Sequence, residues 1–187
     1  MPDNDTSGLI DTLKATIIKR KGLAKPTQFL VEFSLPAGVA DPRDMQDLSI
    51  MCQSASLPTR AIDVTDYDGA QRHSFAIPSG YSYDKVECKF LLGNDFFPKN
   101  LFDKWIDKSI DSKSYRLLYR NEYSSTITIY QLNESGDIIY GVKLNHAFPT
   151  GISDLELDGG STDAVHSLSV TFSYYDYSIL DLAKQGL

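Results

Sequence analysis

Apolar and polar residues alternate with a period of two through much of this chain, most clearly from Val165 to Tyr174. There Leu168, Val170, Phe172 and Tyr174 interleave with Ser167, Ser169, Thr171 and Ser173, the pattern of a strand with one buried face. The other face carries only small hydroxyls, which suits a wall bordering water or a second subunit. Phe29, Val31, Phe33 and Leu35 alternate in the same way with Gln28, Leu30, Glu32 and Ser34, until Pro36 and Gly38 stop the run. Asp84 to Leu92 repeats it, with Val86, Cys88, Phe90 and Leu92 on one face and Lys85, Glu87 and Lys89 on the other. A charged loop around Asp41-Pro42 leads into a further strand over Ser49 to Ser56. Between Thr59 and Ile77, Ile62 and Val64 face Phe75 and Ile77 across a hairpin tipped by Tyr67-Asp68-Gly69. Thr126–Leu132 and Asp137–His146 form a second pair around Asn133-Glu134-Ser135-Gly136, followed by a corner at Pro149-Thr150-Gly151 and an acidic loop.

The period lengthens to that of a helix in two places. Leu9, Ile10, Leu13 and Ile17 predict a short amphipathic helix over residues 7–19 with Ser7 as its cap. A helix of this length is marginal alone and must dock on its own domain or on a neighbour. Asn94 or Asp95 caps a second helix, with Pro98 in its first turn and Leu101, Phe102, Trp105, Ile106 and Ile110 along one side. Trp105 among these aliphatics reads as core, given its large apolar area. Residues 178–187 suggest a short terminal helix. Many strands without strand–helix alternation exclude a doubly wound fold. They predict a mainly β protein: a β-sandwich or open barrel of antiparallel strands with one packed α-helix and a short N-terminal helix. Residues 1–25 form an arm with a basic linker, and 26–187 a single β-rich domain.

Charge adds a constraint on partners. The 187 residues carry a net charge of −7, which argues against a surface built to grip nucleic acid, since such surfaces cluster Lys and Arg to displace counterions. The distribution is uneven. Lys14, Lys19, Arg20, Lys21 and Lys25 make the start basic, whereas residues 150–187 hold six carboxylates against Lys184 alone. A chain basic at one place and acidic at another suits head-to-tail contact with its own copies, and a solvated surface with chance asymmetry explains it as well. No charged start runs into an apolar stretch, and no apolar stretch approaches membrane length, so neither secretion by a standard signal nor membrane spanning is expected.

Candidate chemistry is sparse. Cys52 and Cys88 are expected to be buried free thiols, and no Cys or His pair has zinc-ligand spacing. Asp66-x-Asp68-Gly69 fails as a calcium loop at both ends, where Val64 and Phe75 stand, and reads as a turn. His73, His146 and His166 are dispersed, with His146 expected to be structural. Asp154, Glu156 and Asp158 beside Gly159-Gly160 could supply paired carboxylates for a small β-sandwich hydrolase, but no aromatic sugar platform lies nearby and a solvated loop is the better reading. No cofactor is expected.

A series of short segments runs along nearly the whole chain: Leu23-Ala24-Lys25-Pro26 before Phe29-Leu30-Val31-Glu32-Phe33, then Cys52-Gln53-Ser54-Ala55-Ser56-Leu57-Pro58, and Phe102-Asp103-Lys104-Trp105. Tyr119 before a strand, Phe148-Pro149-Thr150-Gly151-Ile152-Ser153, Leu155-Glu156-Leu157-Asp158 and Leu168 to Tyr174 complete it. In order and spacing the series resembles the tail tube proteins of contractile-tailed bacteriophages. The resemblance implies a non-enzymatic virion protein, assembled in the host cytoplasm, whose hexameric rings stack into the inner tube of a contractile tail. Its implied partners are its own copies, the tail sheath protein, and the baseplate and tail terminator proteins. DNA would pass through without specific binding, and no membrane is involved. A baseplate tube initiator and a type VI secretion tube subunit share the implied fold. Within this picture Leu9, Ile10, Leu13 and Ile17 on the arm, with Asp66, Tyr67, Asp68 and Gln71 at the hairpin, are expected at subunit contacts. Lys85, Glu87, Lys89, Ser167, Ser169, Thr171 and Ser173 are expected to face the bore.

Overall fold

A computed structural model describes residues 6–20, 22–68, 74–110, 116–157, 160 and 165–181. Among them the chain runs α1 (Thr6–Lys19), β1 (Phe29–Ser34), α2 (Pro42–Ile50), β2 (Cys52–Ala55), β3 (Ala61–Asp68), β4 (Ser74–Ser82) and β5 (Val86–Leu91). It continues through α3 (Phe97–Ser109), α4 (Arg120–Tyr123), β6 (Ser125–Leu132), β7 (Ile138–Ile152), β8 (Ser167–Ser173) and β9 (Asp176–Ile179). The alternating runs of the sequence are strands with the expected faces inside. Val31, Val86, Cys88, Phe90, Leu168, Val170 and Phe172 are fully buried, and Phe33 nearly so.

The strands pair antiparallel in the order β1-β6-β7-β8-β5-β2, with β9 also on β7. β7 belongs to two halves of this sheet. Residues up to Ala147 pair with β6 and β9, and residues from Phe148 onward pair with β8. The bend falls at His146, whose φ of 52° is left-handed, next to a register shift in the facing β6. The halves then face each other: the Phe33 ring on β1 lies 5.7 Å from Phe90 on β5 and 6.2 Å from Phe172 on β8. This is the expected antiparallel sandwich or open barrel. Among the described residues β3 and β4 pair only with each other, as a separate hairpin.

α3 closes the core. Phe102 packs 5.0 Å from Phe90 and 5.8 Å from Phe172, and Trp105 is fully buried against Phe172 at 6.1 Å. The Trp105 Nε1–H donates to the Tyr123 carbonyl at 2.6 Å, tying α3 to α4.

Several expectations are corrected. The loop at Asp41-Pro42 is the start of α2, and the strand expected from Ser49 begins only at Cys52. Asp44 Oδ2 accepts from the Asp41 N–H at 3.1 Å, half of a capping box with Pro42 in the first turn, and Leu48 anchors the helix in the core. The N-cap of α3 is Phe96, with φ of 52°, rather than Asn94 or Asp95. Asp95 Oδ1 still accepts the Phe97 N–H at 3.3 Å. Ile110 is extended, 48% exposed and bridged to Leu117, so it leaves the helix face. The corner at Pro149-Thr150-Gly151 is continuous strand, because a register shift between Pro149 and Gly151 absorbs the missing N–H. Residues 178 and 179 extend β9 instead of starting a helix, and residues 182–187 lie outside the described residues.

Candidate functional site

Two of the predicted surface strands prove to be neighbours. In the β5–β8 register Glu87 stands directly opposite Thr171 and Lys89 opposite Ser169, so both pairs share one face. Ser167 and Ser173 continue that face along β8, and Lys85 precedes β5. Lys85, Glu87 and Lys89 are exposed, while Ser167, Ser169, Thr171 and Ser173 are half-buried. The flanking end of β7 accounts for the partial burial: Thr150 Oγ1 donates to the Thr171 carbonyl at 3.2 Å, and Ser153 Oγ accepts the Ser169 N–H at 3.0 Å. The result is a hydroxyl-rich wall with a few alternating charges. Leu91, opposite Ser167 and 40% exposed, is the apolar residue on it that the alternation did not single out.

The β3–β4 hairpin is a second surface. Ile62, Val64, Tyr67, Phe75, Ile77 and Tyr81 are each between 41% and 64% exposed, and every residue of β4 is exposed. Tyr67 and Phe75 are paired across the ladder with rings 5.5 Å apart. Asp66 is exposed beside them and Asp68 closes β3, so these acids sit on a strand rather than in a turn. Gln71 lies outside the described residues.

The arm is a third. Ile10 and Leu13 are more than half exposed on α1, Ile17 is half-buried, and Leu9 lies on the same helix. The linker is fastened near its end. Lys25 pairs with Glu134 on the β6–β7 turn, and Gln131 Nε2 donates to the carbonyls of Lys25 and Gln28, both at 2.7 Å.

Polar chemistry gathers elsewhere but does not converge. A hollow of about 430 Å³ is lined by Asn121, Ser124, Asn145, His146, Tyr175 and Asp176 among others. Ser124 Oγ lies 3.2 Å from His146 Nδ1 and Asp176 Oδ1 accepts from Asn145 Nδ2 at 2.9 Å, but among the described residues no carboxylate bonds the His146 ring, the contact that a hydrolytic relay requires. Asp154 and Glu156 are exposed between β7 and β8 and do not line that hollow, and Asp158 lies outside the described residues. Among the described residues no group of three or more His, Cys, Asp or Glu could hold a metal. Cys52 and Cys88 are free thiols on adjacent strands, Cys88 buried and Cys52 half-buried. Hydrogen bonding between them holds Cys52 below its ordinary value, and the same bond together with burial pushes Cys88 well above it.

An aromatic group at the hairpin root was not legible in the sequence, because it unites distant positions. Tyr83 packs 5.9 Å from Tyr174 and 5.8 Å from Tyr177. The buried Tyr174 hydroxyl has no hydrogen-bond partner among the described residues. Its pKa is pushed up to about 12 by burial first, then by Tyr177, Asp84 and Tyr83.

A family model described as phage tail tube protein matches residues 24–180. No curated protein matches the chain. The chain is similar to a subunit in the cryo-EM structure of the anti-feeding prophage baseplate, with 20% identity, TM-score 0.63, 84% of this chain and 95% of that one covered. It is also similar to one in the sheath–tube complex of an extracellular contractile injection system (18%, 0.64, 89% and 97%). A third likeness is to the tube-terminating cap of the anti-feeding prophage (18%, 0.61, 84% and 91%). At these identities the likenesses establish a shared fold.

Proposed function

The chain belongs to the phage tail tube protein family, and from that premise we propose that its copies close into hexameric rings that stack into the inner tube of a contractile tail. It is a structural subunit of the virion tail. The observation that supports assembly above all others is the hairpin. Six large side chains on β3 and β4 stand in solvent on a two-stranded ribbon that, among the described residues, pairs with no other strand, and exposure on this scale marks a surface meant for a partner. A second copy supplies it. The hairpin at Asp66, Tyr67, Asp68 and Gln71 and the arm at Leu9, Ile10, Leu13 and Ile17 then form contacts between subunits. The open edges β1 and β2 are covered in a closed ring, which removes them as sites of uncontrolled pairing.

The β5–β8 wall faces the bore in this reading. Small hydroxyls at 167, 169, 171 and 173 keep it wide, and Glu87 offsets part of Lys85 and Lys89, so a passing polyanion finds few cations to hold it. The tail sheath packs outside, and baseplate and terminator proteins meet the two ends. The likeness to subunits of a baseplate, a sheath–tube complex and a tube cap supports those partners. No catalytic role is assigned. Negative-stain microscopy of the purified full-length chain tests the proposal: rings or rods of constant bore with sixfold averages are expected, and a protein that stays monomeric at high concentration refutes it.

A further inference from the structure

We propose that Arg60 sets the angle at which the β3–β4 hairpin stands off the sheet, and thereby positions it to receive a second copy of the chain. The consequence for assembly rests on the tube reading above. The geometry does not.

Arg60 immediately precedes β3. Its guanidinium carbon lies 5.3 Å from the ring centre of Tyr81 on β4 and 5.9 Å from that of Tyr177 on β9. Tyr81 belongs to the hairpin and is mostly exposed, whereas Tyr177 is half-buried in the body and packs edge-on to Tyr83 and Tyr174. One cation therefore touches both the projecting ribbon and the fixed sheet.

Among the described residues, three further hydrogen bonds at the root join the two legs of the hairpin to each other. Thr59 Oγ1 donates to Asp84 Oδ2 at 2.7 Å and Ser82 Oγ to Asp63 Oδ1 at 2.8 Å, while Ser79 Oγ donates to the Asp63 carbonyl at 3.0 Å. These bonds hold the two legs together. Two chain connections define an axis, and rotation about that axis is fixed only by contacts lying off it. The contact of Arg60 with Tyr177 joins the root of the hairpin to β9 by a path other than the chain itself.

At an exposed site each cation–π contact shifts an equilibrium by about two- to fivefold. Of the two, only the Arg60–Tyr177 contact crosses from ribbon to body, so one attitude is favoured about two- to fivefold without being locked. The effect compounds in a ring, because binding weakens in proportion to the competent fraction of each subunit. A twofold drop in that fraction, taken over six subunits, is roughly sixtyfold.

The test uses the dispersed full-length protein with Arg60→Met, which keeps length and removes charge, and Arg60→Lys, which keeps charge. Residual dipolar couplings of the β3–β4 amides report the hairpin's attitude. In the wild type they should fit the alignment of the body. In Arg60→Met they should shrink about twofold or more while body couplings and thermal midpoint stay unchanged, with Arg60→Lys in between. The light-scattering lag before assembly should lengthen several-fold in Arg60→Met and recover partly in Arg60→Lys. Hairpin couplings in Arg60→Met that still fit the body overturn the positioning role. Shrunken couplings with a wild-type lag overturn its link to assembly. A wild type that forms neither rings nor rods refutes the tube reading instead, while the couplings still decide on Arg60.

Discussion

Replacing Trp105 with alanine probes the junction where α3 seals the sandwich. The indole is fully buried. It stacks on Phe102 at 6.3 Å and 15° and tilts against Phe172. A buried tryptophan withdraws about 200 Å² from water, which at ~25 cal/mol per Å² is worth about 5 kcal/mol. That value is an upper bound, since the unfolded chain already hides part of the ring, and truncations of this kind typically cost about 3–5 kcal/mol. The Tyr123 carbonyl also loses its donor, adding about 1 kcal/mol where no substitute reaches it. A loss of about 4 kcal/mol is expected, equivalent to roughly 8–16 °C in midpoint for a chain of this size. Urea unfolding of the dispersed subunit should be followed by far-UV circular dichroism, because the substitution removes the only tryptophan. Trp105→Phe keeps a ring and loses the N–H, so it should cost about 1–2 kcal/mol. If alanine costs less than about 1 kcal/mol with an unchanged urea slope, α3 is not held as argued.

Other outcomes can be read separately. Tyr174→Phe should flatten the alkaline side of the stability profile: the raised folded value of about 12 against about 10 unfolded means stability is whole below pH 10 and lost as pH rises toward 12. An identical decline in the variant would place the effect on another group. Removing residues 1–18 should leave the midpoint of the dispersed subunit within a few degrees and impair tube growth, and tubes of normal length from the truncated chain would show the arm to be dispensable. Ser169→Arg with Thr171→Arg should leave rings intact and create DNA retention that weakens steeply between low and physiological salt. Loss of the monomer fold would show that face to be internal, and rings with no retention would move the bore elsewhere.

The strands with one apolar face were legible because burial follows side-chain parity, and parity is written in the chain. Val31, Cys88 and Phe172 needed nothing beyond alternation. α2 was not, because Leu48 is its single fully buried residue and one anchor makes no stripe. Its signal was at the ends: Asp41, Pro42 and Asp44 spell a helix start that outweighs a polar interior. The continuity of β7 was hidden by Pro149 and Gly151, ordinary punctuation that a register shift makes compatible with a strand. That the two halves of the candidate bore wall are neighbours depends on β5 and β8 pairing across some eighty residues, a choice local pattern does not express. The cluster joining Arg60, Tyr81 and Tyr177 is of the same kind.

β7 also has a mechanical meaning. Its 15 residues, at about 3.4 Å each, make a tie of roughly 50 Å whose two ends are stitched into opposite halves of the sandwich. Tension or torque entering one half reaches the other along peptide bonds, with no ladder of hydrogen bonds in series to unzip. His146 is the left-handed residue in that tie, so a subunit under load should yield by straightening there.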